Sequence, residues 1–212
     1  MLDKIDKMKS ETDNEQLILQ AAEEEFLEKG FDGAKTTSIA QKAGVTHAML
    51  HYYYRTKEKL FELVFRNKVK LIANSFKHIL DEDKSFEETI SDFIRAHFEF
   101  IKKNPRLVNF VYNEIYKNKE NRDILYRTVF PIIQEVIGKV NTLVETEKQK
   151  GTIRSISPLQ LILNILSLNI MTFIAYPVMI QYVENSSEEL YEQMLKEREE
   201  SNVEFILNSI KK

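Results

Sequence analysis

A chain of 212 residues, 43% apolar and 30% charged, has an ordinary globular composition and is long enough to bury a sizeable core. The lack of cysteine excludes disulfides, thiolate nucleophiles and cysteine metal sites and fits a reducing, cytoplasmic compartment, while only five glycines and four prolines predict an all-α fold. The net charge of −3 argues against nucleic acid as a whole-chain figure, but it hides an asymmetry. Residues 33–70 hold eight Lys/Arg against two Glu, a balance of +6, and residues 11–32 one Lys against eight Asp/Glu, a balance of −7.

Residues 1–12 lack the apolar core of a secretion signal and read as a flexible N-terminal arm. The first helix is expected over 13–29, with Asp13 and Gln16 as a capping box, Ile18, Ala22 and Phe26 along one face, and Gly30-Phe31 as its end. Glu23, Glu24, Glu25 and Glu28 read as a solvated face with nothing to pair with.

The segment TTSIAQKAGVTHAMLHYYYRTKEK, residues 36–59, organises the chain. It reads as two short helices joined by a tight turn at Gly44, followed by the start of a long third helix, with Thr36, Thr46 and Thr56 as the three caps. Ile39, Ala43, Val45, Leu50 and Tyr53 are expected to face inward, and Ala40 is small where the helices cross. This is the grammar of a helix-turn-helix, whose second helix enters the major groove of DNA. That second helix offers His47, Met49, His51, Tyr52 and Tyr53 and no carboxylate. Uncharged donors and aromatics suit base edges, thymine methyls and phosphate oxygens. Lys57 then opens the next helix, where its ammonium and free backbone N–H groups can hold a phosphate. His47 and His51 have the spacing to share a metal, but with no third ligand evident nearby, contact with DNA is the better reading.

The fourth helix is expected over 56–80, with Leu60, Phe61, Val64, Phe65, Val69, Ile72, Phe76 and Ile79 in helical period. At 1.5 Å per residue it spans roughly 37 Å, so it links the DNA-binding unit to the C-terminal part of the chain. Ser85 and Glu88 form another capping box before a helix carrying Ile90, Phe93, Ile94, Phe98 and Ile101. Asn104-Pro105 opens a sixth helix, and a seventh covers 122–149 with Pro131 expected to kink or split it. The uncharged run 155–183 is long enough for a membrane span, but Pro177 and scattered Gln, Asn, Ser and Thr argue for a buried helix over 158–176 and no membrane partner. So apolar a helix needs burial on more than one side, most simply by a partner subunit. With a ninth helix over 187–209 it would build a four-helix interface in a homodimer.

The residues Ala21-Ala22, Phe26, Gly30-Phe31, Thr36, Ile39-Ala40, Ala43-Gly44-Val45, Leu50, Tyr53-Tyr54 and Lys57 resemble the DNA-binding region of the tetracycline-repressor-like (TetR) family over the first third of the chain. His51 and Tyr54 stand where that family usually has tyrosine and often has phenylalanine. The resemblance implies an N-terminal three-helix DNA-binding domain over 13–59 and a C-terminal ligand-binding and dimerisation domain over 60–212, about nine helices in all. It implies a homodimeric regulator, a repressor released from palindromic double-stranded DNA by a small, largely apolar effector. The implied DNA contacts are Thr36, Thr37, His47, Met49, His51, Tyr52, Tyr53 and Lys57. The implied effector pocket draws on Phe93, His97, Tyr112, Phe130, Gln134, Asn164 and Phe173, with Asn169 an alternative to Gln134 or Asn164 as the orienting amide. His97 on its own is more often a satisfied core histidine.

No glycine-rich phosphate loop, nucleophile elbow or telling carboxylate pair is present in the sequence, so no catalytic residue, metal or cofactor is assigned. The alternatives are a ligand-independent regulator or activator with a purely structural C-terminal dimer domain, and an enzyme or carrier of apolar compounds with a vestigial DNA head.

Overall fold

The computed structural model describes the backbone of residues 2–77, 79, 84–117, 119–182 and 187–212. Side chains at 2–12, 72–74, 76–77, 108, 112, 115–117, 120–121, 124–125, 128–129 and 132–133 lie outside that description, among them the expected core positions Ile72 and Phe76. The described residues form nine α-helices: α1 Leu2–Gly33, α2 Thr36–Lys42, α3 His47–Tyr54, α4 Lys57–Lys77, α5 Phe86–Lys103, α6 Pro105–Lys117, α7 Lys119–Lys150, α8 Pro158–Met179 and α9 Glu188–Ile210. A 3-10 turn, Ile180–Tyr182, follows α8, and a single bridge pairs Ile153 with Lys211.

Two compact units result. One comprises Met1–Lys70 and Arg106–Thr128, the other Leu71–Pro105 and Val129–Lys212. α6 and the start of α7 thus belong to the same unit as the DNA-binding helices, and α4 and α7 each run through a boundary.

In the first unit, Ile18, Ala22 and Phe26 of α1 pack with Ile39 and Ala40 of α2, Leu50 of α3 and Leu60, Phe61, Val64 and Phe65 of α4, all buried. Fully burying each large apolar side chain contributes about 1.5–3 kcal/mol. Phe61 takes Phe26 and Phe31 edge-on at 5.1 and 5.0 Å, and Phe110 of α6 closes on Phe61 and Phe65 at 5.7 and 5.8 Å. Such tilted arrangements suit the ring quadrupoles.

Helix α1 starts at Leu2, so Asp13 lies within it and does not cap it. Residues 2–12 contain no glycine or proline and are rich in good helix formers, so the helix propagates through them. Gly30 breaks the helix with φ 68° and ψ 179°. The freed N–H of Phe31 donates to Glu114 Oε1 of α6 at 2.7 Å.

The acidic run on α1 is not the unpaired face expected from sequence. Glu25 is fully buried, with Oε1 2.8 Å from Lys29 Nζ and Oε2 3.0 Å from Lys42 Nζ. Glu28 lies 3.6 Å from the same Lys42, and Glu23 pairs with Lys68. Burial pushes the Glu25 carboxyl up, but hydrogen bonds from Lys29, Lys42 and Ser38 outweigh it and bring it down to about 2. Periodicity along one helix could not show partners supplied by α2 and α4.

The second unit packs α5, α8, α9 and the end of α7 around Ile90, Ile94, Val144, Leu161, Ile165 and Ile206. The α5 capping box forms as expected: Glu88 N donates to Ser85 Oγ at 3.3 Å and Ser85 N to Glu88 Oε2 at 3.0 Å. Neither proline ends its helix. α7 is continuous through Pro131, and α8 runs past Pro177 to Met179, where Ile180 N still bonds Tyr176 O. A proline removes one donor, and the flanking turns keep theirs.

Candidate nucleic-acid interface

The turn between α2 and α3 is built by backbone bonds. Gly44 has φ 68°, its N–H donates to Gln41 O at 3.2 Å, and Val45 N–H donates to Ala40 O at 3.0 Å. This pair of bonds is the Schellman closure, and the left-handed residue at its centre favours glycine. Thr46 then caps α3, its Oγ1 accepting from Met49 N at 3.2 Å. Thr56 caps α4 through Lys59 N at 3.3 Å. Thr36 does not cap α2. It is the first residue of that helix, behind Lys35, and its Oγ1 lies 3.0 Å from His47 Nε2.

Helix α3 hangs on two inward residues, Leu50 and Tyr54. Tyr54 is the buried tyrosine, where sequence favoured Tyr53. Its hydroxyl donates to Glu15 O at 3.1 Å, and burial pushes its pKa up to about 12. Residues 50 and 54 sit four apart on one face, so Tyr53 is rotated to the edge and is half-exposed. Its ring meets Tyr52 edge-on at 5.4 Å, and Tyr52 is 76% exposed. The outward face therefore carries His47, His51 and Tyr52 exposed, with Met49 and Tyr53 half-exposed and Thr36 and Thr37 beside them at the head of α2.

Two features of the helix ends escaped the sequence reading. Arg55 closes α3 with φ 59° and ψ −52°, and Thr56 N donates to Tyr54 O at 2.6 Å. That is a γ-turn of the strained hand at a non-glycine residue. Lys57 places its ammonium 4.6 Å from the Phe31 ring centroid, a cation–π contact at the head of α4. In that first turn the Glu58 carboxyl is held below its usual range by a backbone N–H and by Thr56.

The expected effector-pocket residues do not converge in the same way. Phe93 and His97 are buried in α5, and Phe173 is half-buried on α8, its ring 4.9 Å from Phe98. Phe130, Gln134 and Asn164 are exposed. The Tyr112 side chain lies outside the described residues, and its backbone belongs to the first unit. Of the three amides that the sequence offered as orienting groups, Gln134, Asn164 and Asn169, the one that meets His97 is Asn169. Asn169 Nδ2 donates to Ile94 O at 2.9 Å and lies 3.1 Å from His97 Nδ1, while Asn202 Nδ2 donates to Asn169 Oδ1 at 2.9 Å. Burial pushes the His97 imidazole down to about 4. A separate cavity of about 560 Å³ in the second unit is lined by Phe86, Leu143, Ile153, Leu207 and Ile210 with a charged rim, and by none of the expected pocket residues.

Helix α8 buries one side, through Leu161, Ile162, Ile165, Asn169 and Thr172. Leu159, Leu163, Met171, Ile174, Val178 and Met179 are exposed, as is Phe205 of α9. Residues 158–182 are long and apolar enough to cross a membrane by length and composition, a test that core helices of soluble proteins also pass.

Residues 18–64 match the family of bacterial regulatory proteins known as the tetR family. The chain is 25% identical over 144 residues to the uncharacterized HTH-type transcriptional regulator YvdT of Bacillus subtilis, covering 66% of this chain and 74% of that one. It is 29% identical over 84 residues to the HTH-type transcriptional repressor KstR2 of Mycolicibacterium smegmatis, covering 40% and 41%. The crystal structure of FadR from Bacillus subtilis in complex with stearoyl-CoA shares the fold, with a TM-score of 0.66 at 19% identity over 90% of this chain and 96% of that one. The matched segment spans α2 and α3, the turn between them and their caps, so residues 18–64 form a helix-turn-helix domain of the tetR-family type, and the chain as a whole is similar in sequence and fold to transcriptional regulators.

Proposed function

We propose that the protein is a cytoplasmic homodimeric repressor that leaves a palindromic operator when a small, largely apolar effector binds. The observation that carries the reading is the outward face of α3, which displays His47, His51 and Tyr52 with no carboxylate. Thr36, Thr37, Met49, Tyr53 and Lys57 complete the contact set. Lys57 stays partly exposed while stacked on Phe31, so a phosphate would meet a pre-placed cation.

The exposed apolar side chains of α8, with Phe205 of α9, support pairing of these helices with their symmetry mates. An uncovered strip of this kind marks an interaction surface. Two reading helices would then sit roughly 34–36 Å apart, one turn of DNA. Release requires the effector to prefer one conformation of the second unit. That KstR2 is a repressor and FadR was crystallised with stearoyl-CoA supports both the sign and the apolar class of effector.

Selection of bound sequences from random duplexes tests the reading. An inverted repeat with half-sites one helical turn apart is the expected result, and no enrichment over input would refute it. A ligand-independent regulator with a structural C-terminal domain is favoured by one observation: Asn169, His97 and Asn202 fill the centre of the α5–α8–α9 bundle. Melting shifts with long-chain acyl compounds separate the two readings.

A further inference from the structure

We infer that His47 and His51 form a two-histidine site for a borderline transition-metal dication, Cu²⁺, Ni²⁺ or Zn²⁺, on the outward face of α3, and that metal and duplex DNA exclude one another there. The two residues are one helical turn apart and both exposed. Their Nε2 atoms lie 3.1 Å apart. An ion at the usual metal–imidazole distance of about 2.0–2.1 Å from both would subtend an N–metal–N angle of roughly 95–102°. That lies between the square-planar and tetrahedral values these ions adopt.

The protonation pattern supports the same end. His51 Nδ1 is 2.9 Å from Arg55 O. A carbonyl can only accept, so Nδ1 carries the hydrogen and the neutral ring turns its Nε2 lone pair toward His47. An imidazole whose second nitrogen is tied to a carbonyl is the arrangement that metal-bound histidines adopt. The strained γ-turn at Arg55 aims that carbonyl.

An N–H···N bond between the rings is the competing account of the close nitrogens. The ring centroids are 4.4 Å apart with planes at 87°. The centroid separation thus exceeds the 3.1 Å nitrogen separation by less than the two ring radii that a head-on bond would add. The rings therefore meet off-axis, and a hydrogen bond between them is bent and can give way to an ion. Thr36 Oγ1, 3.0 Å from His47 Nε2, can donate to that nitrogen or to a metal-bound water. Among the described residues no third His, Cys, Asp or Glu joins them. The site is therefore open, its remaining positions are left to water, and Cu²⁺ binds tightest by the Irving–Williams order. Exclusion of DNA rests on the reading of α3 as the DNA-contacting face; the metal site itself does not.

The test uses the untagged full-length protein, titrated calorimetrically with Ni²⁺ and with Zn²⁺ in the absence of DNA. One ion per chain is expected, and His47→Gln and His51→Gln each weaken binding at least tenfold. Circular dichroism checks that these exposed substitutions leave the fold intact. Zn²⁺ should shift the imidazole resonances of His47 and His51 and leave that of His97 unmoved. Unchanged affinity and stoichiometry in the double variant would overturn the site. On selected duplex, the apparent Kd of the wild type should rise in proportion to free Ni²⁺ and recover with chelator. Metal bound at the pair with unaltered DNA affinity would overturn the exclusion. Failure of the metal-free protein to bind any duplex would instead sink the functional reading, and the titration without DNA would still decide the site.

Discussion

The two units enclose polar groups in opposite ways. In the first, a charge is sealed just beneath the surface: Glu25 is inaccessible, but the Lys29 and Lys42 side chains that cover it remain 41% and 34% exposed. In the second, the groups at the centre are neutral, with the amides of Asn169 and Asn202 and an imidazole held far below its usual pKa. A carboxylate tolerates burial where its counter-ions keep contact with water. Deep between three helices only uncharged partners avoid the desolvation penalty.

Breaking the neutral network should have the largest effect. Asn169→Leu keeps the volume but strands the Asn202 amide and removes the Asn169 contact to His97, and should cost about 2–4 kcal/mol in urea unfolding. Lowering the pH should act on the same unit next. The folded pKa of His97 lies below its unfolded value of 6.5, so the unfolded chain binds more protons between pH 6.5 and about 4. Stability therefore falls with pH across that window, on the order of 1 kcal/mol per pH unit. The Glu25 contribution is lost only lower, as pH falls from 4.5 toward about 2. Hydrogen exchange on acidification should loosen α5, α8 and α9 before α1 and α2, and the opposite order would overturn the comparison. Glu25→Gln should cost about 1–2 kcal/mol, read as faster exchange in α1 and α2 alone. Smallest is Arg95→Ala, which removes an exposed 2.6 Å pair with Glu200 and should change stability by less than about 0.5 kcal/mol.

Legibility from sequence divided along the same line. Where a short stretch carries its own instructions, the reading was close: the Gly44 turn, the Thr46, Thr56 and Ser85 caps, and an outward face on α3 all rest on residues within a few positions of one another. What failed needed a partner from elsewhere in the chain. Glu25 finds Lys42 on α2 and Glu23 finds Lys68 on α4, and although Asn169 was one of the candidate orienting amides, its partners His97 and Asn202 lie 72 and 33 residues away. The exchange of Tyr53 for Tyr54 has another cause. Either residue could share a face with Leu50, and only the packing against α1 at Glu15 decides between them.

The bond from Phe31 N–H to Glu114 has a lopsided tolerance to substitution. The donor belongs to the main chain, so every residue but proline at position 31 would supply it, whereas at position 114 only a side chain of matching reach with an oxygen at its tip could receive it. Changes at position 31 should therefore be felt through the ring's packing on Phe61 and Lys57 and not through the tether, whereas position 114 should be nearly fixed by the tether itself. Gly30 shares the restriction, because a methyl group there would come within 3.0 Å of the same carboxylate.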